Sequence, residues 1–139
     1  MSAAVEHAVA LKGKGQASHC DIWAIVRIAG GLLSLTVEAK AEEPFGDDSL
    51  EGWLANGTME DPTLNRQKRW DHIRENLPER PKGSYDPIRY QLLHRCAAAV
   101  IEAKRWDFKH AAFIVQAFKS PAKSFQDYKD FCAVLNLPG

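Results

Sequence analysis

The sequence lacks the features of a membrane or secreted protein. No run of apolar residues approaches 18 in length, which is about what a membrane-spanning helix requires. No basic segment followed by an apolar run and a cleavage site opens the chain, so a signal peptide is not evident. Only three cysteines are present, Cys20, Cys96 and Cys132, and they lie far apart without a C-x-x-C spacing. We therefore expect a reduced, cytoplasmic protein that contacts no membrane, with buried thiols rather than a zinc site.

Net charge of one sign is absent as well, since 18 Lys and Arg residues balance 18 Asp and Glu residues. This balance argues against a protein that binds polyanions over its whole surface. The charges are unevenly distributed, however: residues 1–62 hold four basic and ten acidic residues, and residues 63–139 hold fourteen and eight. Either an acidic site lies beside a basic surface, or the segregation is a chance property of solvated residues, and charge alone favours neither.

The length of 139 residues suffices for one hydrophobic core, and the composition is that of a globular protein. We therefore expect a single domain over residues 1–139. Alternating residues near 5–11 fit a short strand, although this Ala-rich run also fits a helical turn. Two β-rich segments at 21–29 and 32–40 predict a hairpin with Gly30-Gly31 as its turn.

Later segments alternate between helix and strand. The predicted elements are a helical turn at 50–54, helices at 64–77, 86–106 and 124–135, and a buried strand at 111–118. Asp86 and Ser124 are the expected N-caps, and Phe125 is expected to face inward. A strand that joins a hairpin after a helical crossover indicates an α/β fold with a mixed sheet.

The predicted hairpin brings charged residues together at one end. With Gly30-Gly31 as the turn, Asp21 lies opposite Lys40, and Glu38 is diagonal to Asp21 on the same face. Two carboxylates suit Mg²⁺, which also takes water and phosphate oxygens as ligands. The ammonium group can orient an attacking water or stabilise charge on phosphate. The alternative is a structural cross-strand ion pair between Asp21 and Lys40.

The same residues match a known pattern. Asp21, followed after sixteen residues by Glu38-Ala39-Lys40, resembles the D…E-x-K signature of the PD-(D/E)XK nuclease superfamily, whose fold is called restriction-endonuclease-like. The segments VEAKAEEPFG (37–46) and RYQLLHR (89–95) are similar to those of a small uncharacterised bacterial family in that superfamily. The resemblance extends over residues 6–135 and implies a mixed sheet flanked by helices. It implies hydrolysis of phosphodiesters with Mg²⁺ or Mn²⁺, with Asp21 and Glu38 as metal ligands and Lys40 as the catalytic lysine.

Other residues are weaker candidates for substrate binding. Gln67 could contact the site or a phosphate, and Arg66 and Arg69 could follow a phosphate backbone, although all three also fit a solvated helix surface. Arg89 lies on the apolar stripe of its helix, where it either pairs with a buried carboxylate or reaches the active site. Two further interpretations concern residues without an assigned role. His94 and Arg95 are interpreted as solvent-facing, and Trp23, Trp53, Trp70 and Trp106 as core residues.

Two functions follow as hypotheses. The first is a metal-dependent nuclease that acts on DNA rather than RNA. The second is a catalytically inactive protein of the same fold that binds nucleic acid or a protein partner, and a homodimer formed through an uncovered sheet face fits this one or a purely structural charge cluster. The superfamily's usual helix before the first strand has little room here, and Glu6 is a candidate for its acidic residue. Because the net charge is zero, we expect nucleic-acid binding by the chain alone to be weak and salt-sensitive.

Overall fold

A four-stranded mixed sheet forms the centre of the protein, and a computed structural model describes residues 1–56 and 62–137. The strands lie in chain order: β1 (Ser2–Val9), β2 (Ser18–Ile28), β3 (Gly31–Lys40) and β4 (His110–Ala117). β2 is antiparallel to both β1 and β3, and β4 is parallel to β3. A parallel neighbour requires a long crossover, which the helices between β3 and β4 supply. The predicted α/β fold, a mixed sheet flanked by helices, is therefore confirmed.

The helices are α1 (Leu50–Ala55), α2 (Pro62–Arg74), α3 (Tyr90–Arg105) and α4 (Ala122–Val134). Helix α3 packs across β3 and β4, and α2 and α4 pack against α3. In the part of the chain that the structure describes, no helix is both long and apolar enough to cross a membrane.

The hydrophobic core lies around one face of α3. Leu92, Leu93 and Ala97 of this helix are fully buried, and they belong to one cluster with Ile73 of α2 and Phe131 of α4. Burying a leucine-sized side chain contributes about 1.5–3 kcal/mol, so this cluster is a main source of fold stability. On another side of the helix, Ala98 belongs to a second, smaller apolar cluster with Val9 of β1 and Cys20 of β2.

The opposite face of the sheet carries an exposed apolar row. Val5 pairs with Ile22, Ile22 with Val37, and Val37 with Ile114, so the row crosses all four strands. Val5, Ile22 and Ile114 are 77%, 38% and 47% exposed. An uncovered sheet face is therefore present, and the homodimer considered above for such a face stays a prediction.

The turn of the β2–β3 hairpin differs from the predicted one. Ile28 pairs with Gly31, so the turn residues are Ala29 and Gly30 rather than Gly30 and Gly31. The glycines serve other needs. A Cβ at Gly30 would lie 2.8 Å from His110 Nε2, and Gly31 has a φ of +127°. The predicted pairing of Asp21 with Lys40 was therefore wrong, although a shift of this size leaves every side chain on its predicted face.

The start of α3 was also predicted wrongly. The helix begins at Tyr90, and Asp86 lies in a preceding turn where its N–H donates to the carbonyl of Gly83. The carbonyls of Asp86 and Ile88 accept from the first residues of α1. The carbonyl groups of this segment are therefore hydrogen-bonded to α1, although the local capping signals predict that the segment begins α3.

Helix α4 begins two residues before the predicted cap. Pro121 occupies the N-cap position, and Ser124 lies inside the first turn, buried. Phe125 is 64% exposed, contrary to the prediction. Phe125 lies in the first turn of α4, whereas the core residues of this helix, Phe131 and Cys132, lie about two turns further along.

The cysteines are free, and Cys20 and Cys132 are buried, as predicted. Burial raises the pKa of the Cys20 thiol to about 11, so it stays protonated and unreactive at neutral pH. Of the tryptophans, Trp23 and Trp70 lie in the interior, whereas Trp106 is 51% exposed and was wrongly predicted to be a core residue.

Candidate functional site

Glu38 lies at the centre of a buried polar cluster. Its side chain is 2% exposed. Lys40 Nζ lies 3.1 Å from Glu38 Oε1, and Gln91 Nε2 donates to the same oxygen at 2.9 Å. Arg95 Nε lies 2.8 Å from Glu38 Oε2. Three donors, two of them cationic, therefore surround one buried carboxylate.

The positions of these residues follow from strand and helix periodicity. Successive side chains on β3 alternate between the two faces of the sheet, which places Glu38 and Lys40 together on the face covered by α3. Gln91 and Arg95 are four residues apart on α3, so both point from the same side of the helix. Strand and helix meet in the α3–β3 packing, where Thr36 also donates to the carbonyl of Arg95 at 3.4 Å.

Asp21 joins the cluster through the backbone of β3. Its Oδ2 accepts the N–H of Ala39 at 2.6 Å, between Glu38 and Lys40. The regular β2–β3 ladder ends at Ile22 and Val37, and one further step would place Asp21 opposite Glu38. The structure thus brings Asp21, Glu38 and Lys40 together, as the sequence predicts, but by a different register.

Electrostatics at Glu38 reflect opposing effects. Burial raises the pKa of its carboxyl, and the negative charge of Asp21 acts in the same direction. Arg95 and Lys40 oppose this rise because they favour the ionised form. Although Arg95 is close, neither its Nε nor Glu38 Oε2 is aligned for a hydrogen bond. Glu38 Oε2 therefore faces Arg95 as an ion pair rather than through an aligned hydrogen bond.

The residues offer a limited set of metal ligands. Within residues 1–56 and 62–137, no group of three or more His, Cys, Asp or Glu side chains is placed to hold a metal ion. Asp21 and Glu38 supply two carboxylates, the first bound to the N–H of Ala39 and the second paired with Lys40 and Arg95. Mg²⁺ commonly binds through one or two carboxylates and completes its shell with water and phosphate oxygens. The pair fits that type of site and does not fit a cation that needs many protein ligands.

A cavity of about 450 Å³ lies next to this cluster and is lined by cations. We call it the arginine cavity; its principal lining residues are Lys14, Arg66, Arg69, Arg95, Trp53 and Tyr90. Arg95 belongs to both features, since its guanidinium contacts Glu38 and also lines the cavity. The arginine cavity and the Glu38 cluster are therefore parts of one continuous region.

Aromatic residues support the arginine cavity. Trp53 of α1 and Tyr90 of α3 stack with ring centroids 3.8 Å apart and nearly parallel planes. The Arg66 guanidinium lies 5.1 Å from the Trp53 ring and donates to the Trp53 carbonyl. Tyr90 Oη accepts from Arg69 Nε at 2.8 Å. These contacts hold the two arginines in place, as expected of planar guanidinium groups on aromatic faces.

The remaining predicted binding residues lie elsewhere. Gln67 is exposed and donates to Asp71 at 2.9 Å, one turn along α2. Arg89 forms a 2.8 Å ion pair with Asp127 and donates to the carbonyl of Asp47. Arg89 thus takes the alternative role, the pairing of a charge with a carboxylate.

Three residues of this region were not predicted from the sequence. Gln91 and Arg95 contact Glu38, and His94 Nδ1 forms a 2.8 Å hydrogen bond with Ser18 Oγ. The prediction that His94 and Arg95 face solvent was wrong. A signal was present: a buried strand acid needs a cationic partner, and Gln91 and Arg95 have the i,i+4 spacing that lets both face the strand.

Comparisons with known proteins give a family but no function. No curated protein and no solved structure matches the chain. A family model described as a domain of unknown function, DUF6946, matches residues 1–139. The chain, with its Glu38 cluster and adjoining arginine cavity, therefore belongs to the DUF6946 family.

Proposed function

We propose that the protein is a metal-dependent nuclease that hydrolyses phosphodiester bonds in nucleic acid. The observation that carries the proposal is the convergence of Asp21, Glu38 and Lys40, with Asp21 bound to the amide between the other two. Preference for DNA over RNA, and for Mg²⁺ or Mn²⁺, comes from the resemblance of the D…E-x-K pattern to the PD-(D/E)XK superfamily.

Asp21 and Glu38 are the residues that would hold the cation. A bound divalent cation would polarise a phosphoryl oxygen and lower the pKa of a water molecule. Because burial raises the pKa of Glu38, its carboxyl is protonated at a higher pH than an ordinary glutamate. Cation affinity should therefore fall in acid before exposed carboxylates are neutralised.

Lys40 acts from beside these carboxylates. Its side chain is only 11% exposed, and Nζ is held 3.1 Å from Glu38 Oε1. An ammonium group fixed in this way can orient a water molecule or stabilise negative charge that develops on a phosphate oxygen. Glu38 thus has two tasks in the proposal, to bind the cation and to position Lys40.

Arg95 supports substrate binding in the same region. Its guanidinium extends from the Glu38 carboxylate to the arginine cavity. Guanidinium groups bind phosphate oxygens through paired N–H donors. A phosphate near Arg95 would therefore lie beside the carboxylates rather than on a remote basic surface.

The test is cleavage of plasmid and linear DNA by the full chain with Mg²⁺, Mn²⁺ or EDTA. We expect cleavage that needs the cation and falls at least about 100-fold in Lys40→Ala and Glu38→Gln. Glu51→Gln and Lys109→Ala are matched controls, since both residues are exposed and lie outside the cluster. Cleavage that survives in both cluster variants, with folding verified by circular dichroism, would contradict the proposal.

A second candidate function is nucleic-acid binding without catalysis. The observation that favours it is the occupation of Glu38, whose oxygens already face Lys40, Gln91 and Arg95. Such a cluster can be a structural ion-pair network. DNA binding in EDTA, combined with no cleavage under any cation, would establish this function in place of the first.

A further inference from the structure

The arginine cavity has more cationic than anionic partners. Lys14, Arg66, Arg69 and Arg95 line it, and no Asp or Glu is among its lining residues in the described part of the chain. Only Arg95 has a carboxylate partner at ion-pair distance, Glu38, when residues 1–56 and 62–137 are considered. Cations that line the same cavity repel one another, and a bound anion relieves this repulsion. The composition of the wall therefore selects an anionic ligand.

Arg69 supplies independent evidence for a ligand. Its residue is only 9% exposed. Nε donates to Tyr90 Oη at 2.8 Å and Nη2 to the carbonyl of Gln16 at 2.6 Å, but Nη1 is buried and has no hydrogen-bond partner among the residues that the structure describes. A buried charged donor without an acceptor is costly, and such groups are normally satisfied by protein, water or a ligand.

The loop that carries Lys14 closes over this guanidinium. A Cβ added to Gly15 would lie 3.6 Å from Arg69 Nη1, so the loop backbone runs directly beside the unpaired donor. The Lys14 N–H donates to Asn65 Oδ1 at 3.4 Å, which ties the loop to α2. The exposed Lys14 and the buried Arg69 thus line the same cavity.

His94 is a neutral member of the wall. Burial lowers the pKa of its imidazole to about 3, and the positive charges of Arg95 and Arg69 act in the same direction. The groups that face it are these arginines, Ser18 from β2 and the Tyr90 ring at 4.8 Å. The positive charge that attracts an anion therefore comes from the arginines and Lys14 and not from His94. The neutral imidazole can still form hydrogen bonds.

We infer that the arginine cavity is a phosphate-binding site, in which Arg69 Nη1, Arg66 and Lys14 contact the phosphate oxygens. Planar guanidinium forks and a lysine are the side chains best suited to tetrahedral oxyanions. The cavity volume of about 450 Å³ accommodates a phosphate together with part of the molecule that carries it. That this molecule is a nucleic-acid strand rests on the proposed function, whereas the phosphate site itself does not.

The first experiment measures inorganic phosphate binding by isothermal titration calorimetry with the full chain in EDTA, at ionic strength matched with chloride. We expect saturable binding that weakens about tenfold in Lys14→Ala and in Arg66→Ala. Matched controls are Lys12→Ala and Lys68→Ala, which remove exposed charges two residues away and outside the cavity. Binding no stronger than that of chloride, or equal losses in the control variants, would overturn the inference.

The second experiment identifies the source of the phosphate. Fluorescence anisotropy compares oligonucleotides of one sequence with a 5′-phosphate or a 5′-hydroxyl, and inorganic phosphate is added as competitor. A preference for the 5′-phosphate would indicate that the cavity binds the end of a strand. Equal binding of both oligonucleotides would indicate that it binds an internal phosphodiester. Both results support a nucleic-acid strand as the ligand. Oligonucleotides that inorganic phosphate does not displace would overturn the strand assignment.

The outcomes for the cavity and for catalysis are distinguishable. Phosphate binding is measured without a divalent cation and with variants of Lys14 and Arg66, which line the cavity and do not contact Glu38. Loss of cleavage with intact phosphate binding would concern only the proposed function. Loss of phosphate binding with intact cleavage would concern only the cavity.

Discussion

Arg95 Nε lies 2.8 Å from Glu38 Oε2, and the same guanidinium lines the arginine cavity. One side chain therefore neutralises the buried acid of the candidate active site and contributes charge to the neighbouring anion site. Because Glu38 is 2% exposed, the loss of this partner leaves a buried charge that water cannot solvate. The relationship makes Arg95 important for stability as well as for binding.

Replacing Arg95 tests its role in stability. We expect Arg95→Met to lower the free energy of unfolding by about 3–5 kcal/mol, the usual cost of breaking one side of a buried ion pair. Urea denaturation followed by circular dichroism measures the loss. Arg105→Met is the control, since Arg105 is 62% exposed and 3.5 Å from Glu102, and should cost less than about 1 kcal/mol.

A double variant separates pairing from packing. If Glu38 and Arg95 interact directly, Glu38→Gln combined with Arg95→Met should be less destabilising than the sum of the two single changes. The coupling energy is obtained from the same denaturation curves. Additive effects would show that the two side chains act independently, contrary to the contact described.

His94 predicts a specific dependence of stability on pH. Its pKa is lowered to about 3 in the folded protein, mainly by burial, whereas the unfolded value is the ordinary 6.5. The unfolded chain therefore binds the proton first, and this contribution to stability is present above pH 6.5 and is lost as pH falls from 6.5 towards 3. Between those limits the slope approaches about 1.4 kcal/mol per pH unit.

The control for this prediction is His94→Gln, which keeps a hydrogen-bonding group beside Ser18 and cannot titrate. Glu38 acts in the opposite sense. Because burial raises the pKa of its carboxyl above 4.5, its contribution to the free energy of unfolding decreases as the pH rises through the raised pKa. Unfolding free energies measured between pH 4 and 7 should show a smaller acid loss in His94→Gln. An unchanged slope would contradict the buried, neutral state of His94.

The hairpin register is tested by its two glycines. Gly31 has a φ of +127°, which side-chain-bearing residues rarely adopt, so Gly31→Ala should cost about 1–3 kcal/mol. At Gly30 an added Cβ meets only the end of the His110 side chain, which can rotate away, so Gly30→Ala should cost less. Thermal unfolding measures both variants. A larger loss for Gly30→Ala would indicate that the turn is placed elsewhere.

Much of the fold could be predicted because its signals are local. Alternation in β3, the apolar stripe of α3 and the β-rich run of β4 each indicate one element, and their order indicates a mixed sheet. The start of α3 could not be predicted this way. Residues 86–89 contain a capping signal, but their backbone is used by α1 through Leu50 and Glu51.

The candidate site was predicted in part for a similar reason. Asp21, Glu38 and Lys40 were predicted because alternation along a strand fixes the sheet face on which each side chain lies. The observed register moves each cross-strand partner by two residues, which leaves that face unchanged. Arg95 and Gln91 were missed because their role depends on how α3 lies across β3. Arg89 was the more conspicuous charge on the apolar stripe, and it pairs with Asp127 of a distant helix.

The measurement that tests the central claim most directly is a titration of the full chain with Mn²⁺, followed by electron paramagnetic resonance. We expect one bound ion per chain, lost in Asp21→Asn and Glu38→Gln and retained in Glu51→Gln, because Asp21 binds the amide between Glu38 and Lys40 and Glu38 pairs with Lys40. Absence of Mn²⁺ binding by the unaltered protein at millimolar concentration, or equal binding in folded Asp21→Asn and Glu38→Gln, would contradict it.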